Sequence, residues 1–293
     1  MIDLLISAGA DVNARDDGDV TPLHNSVCCA DIVRILLDQG ADVHVRDCDG
    51  AMALHQAVEC GCLESVSLLV RTGADVNAPG MSGGTPLHSV GDSTEIARFL
   101  LDAGADPNRL NDDGETPLYQ AIRWGSSEVT DVLLARCEPS IFDIIALGDI
   151  RELQRRLGAA PELLNAHDVR GLGLLHYAAE TGQARIAEYL LDQGTGPDVL
   201  DDRGDTPLHF AAESKGSEVA ELLIARGADV NTTDADWGFT PLHEAAYHCN
   251  IRVAELFIER GADVNAMSTK GSTPVHQSEC REIAILLYRN GAI

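Results

Sequence analysis

Aromatic side chains are scarce in this 293-residue chain: two Trp, five Tyr and five Phe make up 4% of it. The 45% of residues that are hydrophobic must therefore fill the interior mainly as Leu, Ile, Val and Ala, which suits thin, closely packed helices. Basic residues are few as well. Twenty-one Lys and Arg stand against 47 Asp and Glu, a net charge of −26, which argues against nucleic acid, bound by neutralising phosphates, and against anionic membrane surfaces. No run of about 18 apolar residues is present to span a bilayer. Met1 to Gly9 places no Lys or Arg before its apolar residues and does not read as a secretory signal. Eight Cys spread through the chain resemble neither a small disulfide framework nor a repeated zinc module, so a soluble, cytoplasmic protein with free thiols is expected.

Catalytic signatures are missing too. There is no Gly-rich phosphate loop, no Gly-x-Ser-x-Gly elbow and no His-Glu-x-x-His helix. Acidic pairs such as Asp16-Asp17, Asp112-Asp113 and Asp201-Asp202 fall in turns, where their side chains bond to nearby backbone. No catalytic residue, cofactor or metal is expected, and the chain reads as a non-enzyme.

A repeat organises the whole sequence. Thr-Pro-Leu-His begins at Thr21, Thr85, Thr206 and Thr240, with variants at Met52, Thr116, Gly173 and Thr273, at steps of 31, 33, 31, 57, 33, 34 and 33 residues. The long step hides a degenerate copy: Gly148-Asp149 aligns with the turn between helices in the other copies and puts its start near Pro139. Gly-Ala-Asp closes repeats at Gly9, Gly40, Gly73, Gly104, Gly227 and Gly261. Within one repeat, Thr206 is suited to cap a helix with Pro207 at its first position, and Leu208, Ala211 and Ala212 form an apolar stripe. After a turn near Lys215-Gly216, Val219, Leu222 and Leu223 form the stripe of a second helix that Gly227 ends, with Leu222 and Leu223 expected to be buried between repeats.

These motifs resemble the ankyrin repeat family, over essentially the entire chain. The resemblance implies an all-α solenoid of helix-turn-helix hairpins joined by β-hairpin turns, about nine repeats including one degenerate, plus a partial N-terminal one in which Leu4, Leu5 and Gly9 match a repeat's end. It also implies that the Thr and His of each motif are scaffold residues tying one repeat to the next: His24, His55, His88, His176, His209, His243 and His276. Both ends fall inside a repeat, which leaves open whether the sequence is a whole protein or a piece of a longer array.

Departures from the pattern locate the unusual places. Thr21 and Thr85 reach Gly40 and Gly104 after 19 residues and Thr273 reaches Gly291 after 18, whereas Met52 and Thr240 need 21; the shortfall is expected in the turn between helices. From Arg136 to His167 no room remains for a full hairpin, which divides the chain into blocks 1–137 and 138–293, expected to stack as one continuous solenoid. Cys28, Cys29, Cys60 and Cys62 lie at matching places in consecutive repeats, with Cys48 between them. Equivalent positions such as Cys29 and Cys60 should stand about 10 Å apart, too far for a disulfide, so these are either thiols filling small-residue sites or, with added ligands, a metal site.

The family implies that partners are held by hairpin tips and by the exposed side of the first helices, together a concave groove. The position after the motif His reads Asn25, Gln56, Ser89, Gln120, Asp143, Tyr177, Phe210, Glu244 and Gln277. Tyr177 and Phe210, joined by Trp237, Phe239 and Tyr247, suggest a recognition surface in a chain so poor in rings. Arg123 with Trp124 is a second, isolated candidate. Glu180, Glu213, Glu244 and Asp236 would steer a basic or mixed-charge partner toward the groove. The expected function is a monomeric protein-protein interaction scaffold. Two alternatives remain: a targeting or substrate-recognition segment of a larger enzyme or multidomain protein, and a substrate for asparagine hydroxylation, which the spacing of Leu69 and Asn77, Leu100 and Asn108, and Leu223 and Asn231 resembles.

Overall fold

The computed structural model describes residues 7–214 and 216–293. The expectations for Leu4 and Leu5, and for Lys215 in its turn, lie outside these residues. The chain divides into two compact units, Met1–Pro139 and Ser140–Ile293. The first contains α1 (Pro22–Asn25), α2 (Ala30–Asp38), α3 (Ala53–Glu59), α4 (Leu63–Arg71), α5 (Thr94–Asp102), α6 (Pro117–Trp124) and α7 (Ser127–Leu134), with short 3-10 turns at Met81–Gly83 and Pro86–Ser89. The second contains α8 (Ile141–Leu147), α9 (Ile150–Ala159), α10 (Leu174–Glu180), α11 (Ala184–Asp192), α12 (Pro207–Glu213), α13 (Glu218–Ala225), α14 (Pro241–Tyr247), α15 (Ile251–Glu259), α16 (Pro274–Gln277) and α17 (Arg281–Arg289), with a 3-10 turn at Pro161–Asn165. Among the described residues there is no strand longer than the isolated bridges Arg46 to Met52 and His167 to Gly173. The fold is the all-helical repeat solenoid that the motif spacing predicts.

Each repeat folds as its sequence dictates. Thr206 has extended backbone, Pro207 takes the first helical position with no N–H to waste, and α12 buries Leu208, Ala211 and Ala212 completely. Ala at these positions keeps the first helices thin, and in the second unit α8, α10, α12, α14 and α16 pack in that order. Second helices lie behind them, each burying one stripe: Val219, Ala220 and Leu223 in α13, Val253, Ala254 and Phe257 in α15. Leu223 is fully buried, but Leu222 is only partly so, a correction to the expectation that both are covered. Adjacent leucines on a helix point about 100° apart, and here one faces the repeat interface while the other reaches its rim.

Three further expectations are corrected. The trimmed repeats do not lose their residues from the turn alone. Their first helices shrink to single four-residue turns, Pro22–Asn25, Pro86–Ser89 and Pro274–Gln277, against seven residues in α12 and α14. The degenerate repeat starts one residue later than its turn suggests. Ser140 caps α8 by accepting from the Asp143 N–H (3.1 Å) and donating its own N–H to Asp143 Oδ2 (2.7 Å), so Asp143 takes the place of the motif His and is buried. The cysteines are not all thiols. Cys28 and Cys60 are disulfide-bonded with their Cα atoms 5.8 Å apart, because the short α1 ends at Asn25 and turn residues, not helix axes, meet there; Cys29, Cys48 and Cys62 stay unbonded. A second disulfide, Cys249–Cys280, joins a full repeat to a trimmed one in the same way.

Candidate functional site

The motif His builds the frame on which the surface side chains stand. The backbone N–H of Thr206 donates to His209 Nδ1 (3.1 Å), so Nδ1 is an acceptor and the ring proton lies on Nε2, which donates to the Phe239 carbonyl one repeat on (3.1 Å). His243 does the same between Thr240 and the Ser272 carbonyl (3.0 and 3.2 Å), and His88 between Thr85 and the Glu115 carbonyl (3.0 and 3.2 Å). Burial holds the pKa of His24, His55, His88, His176, His209 and His243 below the ordinary imidazole value. His55, His88, His176, His209 and His243, neutral imidazoles bonded on both sides of a repeat boundary, are scaffold; His24 bonds through Nδ1 to Thr21 within its own repeat.

Acidic turn residues shape the hairpins. Asp201 Oδ1 accepts from the N–H groups of Arg203 (2.9 Å) and Asp205 (2.8 Å), and Asp234 accepts from those of Trp237 (2.6 Å) and Phe239 (2.7 Å). Successive hairpins are then linked through backbone: Ala235 N–H donates to the Arg203 carbonyl and Thr269 N–H to the Trp237 carbonyl, each at 2.7 Å. Trp237 is thereby fixed at a tip with its indole outward, 47% exposed, stacked on Phe239 with centroids 6.4 Å apart and capped by Lys270 Nζ 4.1 Å from its ring.

The expected surface is brought together in part. Phe210 and Glu213 on α12, Glu244 and Tyr247 on α14, and Trp237 and Phe239 on the intervening hairpin belong to two consecutive repeats of the second unit. Tyr247 is exposed, Phe239 lies half-buried against His243 (5.1 Å between centroids), and Phe210 packs edge-on to His176 (5.5 Å). Tyr177 is a correction: only 1% exposed, it lies under Phe142 with centroids 4.6 Å apart and donates its hydroxyl to Asp168 Oδ2 (2.9 Å), so it offers no contact surface. Arg123 and Trp124 end α6 in the first unit. Trp124 is exposed, and Arg123 is ion-paired with the buried Glu115 (3.5 Å).

Two features escape the motif reading. His248, just beyond α14, reaches Glu213 Oε1 (3.0 Å) and Glu244 Oε2 (3.8 Å), a link foreshadowed only by the four-residue spacing of Glu244 and His248. Exposed apolar residues also occupy the hairpins, Val169, Leu200 and Met267 as well as Trp237, where sampling one position per helix does not look. The electrostatics are lopsided. Partial burial, with the charges of Asp205, Glu213 and Asp234, pushes the Glu244 carboxyl up to about 7; burial, with Asp201 and Asp234, pushes Asp205 up to about 7. Among the described residues no Lys or Arg is ion-paired with Glu213 or Glu244.

Two of the three asparagines considered for modification, Asn77 and Asn231, have structural tasks. Asn77 Nδ2 donates to the Gly104 carbonyl (2.9 Å) while its Oδ1 accepts from the Asp106 N–H (2.7 Å), and Asn231 makes the matching pair to Gly261 and Asp263 (3.2 and 2.8 Å). These amides clasp neighbouring repeats.

Comparison with known proteins agrees with this architecture. The family model "Ankyrin repeats (3 copies)" matches residues 1–80 and 148–234, and "Ankyrin repeats (many copies)" matches 91–134 and 217–258. Protein phosphatase 1 regulatory subunit 27 of Homo sapiens, and that of Mus musculus, is 49% identical over 59 residues, which is 20% of this chain and 38% of that protein. Neurogenic locus notch homolog protein 4 of Homo sapiens is 32% identical over 127 residues, 42% of this chain and 5% of that protein. Each match therefore spans a minor part of its relative. With family models covering more than half of the sequence and the helical hairpins in their register, the chain belongs to the ankyrin repeat family.

Proposed function

We propose that this chain is a non-enzymatic interaction scaffold that holds a basic or mixed-charge segment of another protein against the first helices and hairpins of its second unit, the concave face of its family. The observation that carries this reading is the exposure of two rings, Trp237 and Tyr247, on the same two consecutive repeats as Glu213 and Glu244, acids that are ion-paired with no Arg or Lys among the described residues. Large rings with few rotors supply hot-spot area, and the acids favour Lys or Arg between them. Half-buried Phe210 and Phe239 support the floor of that surface. The chain acts as a monomer in this reading. Its expected cytoplasmic setting has a consequence: there Cys28–Cys60 and Cys249–Cys280 would stand as dithiols.

The test is selection of a random peptide display library on the purified chain, followed by affinity measurement. Selected peptides should be enriched in Lys or Arg. Trp237→Ala and Tyr247→Ala should each weaken them by about tenfold or more, and Trp124→Ala should not. Equal binding by all three variants would reject this surface. A targeting role within a larger assembly is favoured by one finding, that a relative at 49% identity is a regulatory subunit; in that reading the same surface recognises the assembly's substrate or its anchor.

A further inference from the structure

Glu244 and His248 stand four residues apart at the end of α14, one helical turn, so both side chains rise on the same side. Glu213, the last residue of α12, reaches the same point from the preceding repeat. His248 Nε2 lies 3.0 Å from Glu213 Oε1 and 3.8 Å from Glu244 Oε2, and one ligand atom from each of the three residues falls within 4.8 Å of the others. Ligand atoms around a tetrahedral ion with bonds of about 2.0–2.2 Å are about 3.4 Å apart. The two measured separations bracket that value, so small rotamer adjustments would bring the three ligand atoms to the spacing of a coordination shell.

Two further observations point to a cation. A single imidazole nitrogen faces two carboxylates, and its one N–H can satisfy only one of them, whereas an ion between the three would satisfy all. The frame is also rigid where the ligands leave it: Ala211, Ala212, Ala245 and Ala246 are fully buried beneath them. The ligand side chains themselves are about a third exposed or less, at 34%, 25% and 32%, so the approach from solvent is open. We propose that Glu213, Glu244 and His248 form a site for a divalent transition metal of the zinc class, with a fourth position open to water or to a partner's side chain. The donor set selects this class: one nitrogen and two carboxylates suit zinc and its neighbours, whereas calcium requires six to eight oxygens. The proposal departs from the expectation that the chain binds no metal and does not rest on the partner-binding reading, although Glu213 and Glu244 belong to both.

The test uses the whole chain, stripped with a chelator and with its unpaired cysteines alkylated so that thiolates do not compete. Calorimetric titration with zinc should show one equivalent bound at micromolar affinity, and cobalt should give the visible spectrum of a nitrogen- and oxygen-ligated ion. His248→Ala and Glu213→Gln should each weaken binding by about tenfold or more, since even outer-shell changes cost that much. The exposed Glu95→Gln, in the first unit, should bind as the unaltered chain does. Far-UV circular dichroism checks the fold, and Glu213→Gln, at a helix end, keeps the test intact if His248→Ala misfolds. Zinc affinity unchanged in both ligand variants, or absent below millimolar zinc, would overturn the site. Because no peptide is present and Trp237 is untouched, either result leaves the partner-binding reading to its own test.

Discussion

Cys249 has a left-handed backbone (φ 59°), a conformation that costs a non-Gly residue about 1 kcal/mol or more and that Gly182 adopts in the corresponding turn (φ 70°). The sulfur offers the compensation: the Cys249–Cys280 bond closes a chain segment of 31 residues, worth about 3–4 kcal/mol on a chain-entropy estimate. Reduction should therefore lower stability in urea by several kcal/mol, and Cys249→Gly should exceed the reduced parent by about 1 kcal/mol while falling short of the oxidised one. A reduced Cys249→Gly variant no more stable than the reduced parent would show that the turn carries no backbone penalty. Which side chains reach solvent was only partly legible at this scale. Tyr177 and Phe210 share one position in the repeat, yet Phe142 covers the first, and that neighbour is set by the shifted register of the Ser140 repeat, which the sequence pattern misplaces by one residue.

At the scale of helices, the repeat was legible because each helix needs a stripe at 3.6-residue spacing and a fixed start and stop, all of which the motif encodes. Helix length was not. A missing residue can be taken from a turn or from a helix, and the structure takes it from the helix in α1 and α16, where each short element has a disulfide just beyond it. The buried face of α13 gives the sharpest prediction. Leu223→Ala removes a fully buried side chain between repeats and should cost about 2–5 kcal/mol, whereas Leu222→Ala, partly exposed, should cost less than half of that. Chemical denaturation of the two variants side by side decides it; equal losses would mean that the orientation of α13 differs from that described.

Across the whole molecule, the scaffold histidines turn a local bonding pattern into a dependence on pH. His24, His55, His88, His176, His209 and His243 have their folded pKa values lowered by burial, so below about 6.5 the unfolded chain binds protons that the folded chain refuses. Their contribution is fully present above that value and is lost as pH falls toward the folded values. Asp205 and Glu244 act in the opposite sense: with folded pKa values of about 7, they contribute stability that is present below the ordinary carboxylate range and lost as pH rises through 7. Each group can contribute a slope of up to about 1.4 kcal/mol per pH unit, and the histidines outnumber the two acids threefold. Stability should therefore fall between pH 7 and pH 5, a window above the range in which ordinary carboxylates titrate. Removing one opposing group should steepen that fall, so Asp205→Asn should show a larger difference between urea midpoints at pH 7 and pH 5 than the parent, measured with chelator present. A flat or rising profile across that window would mean that the imidazoles are not held neutral by the fold, and that the bonds from backbone N–H to Nδ1 do not set their charge.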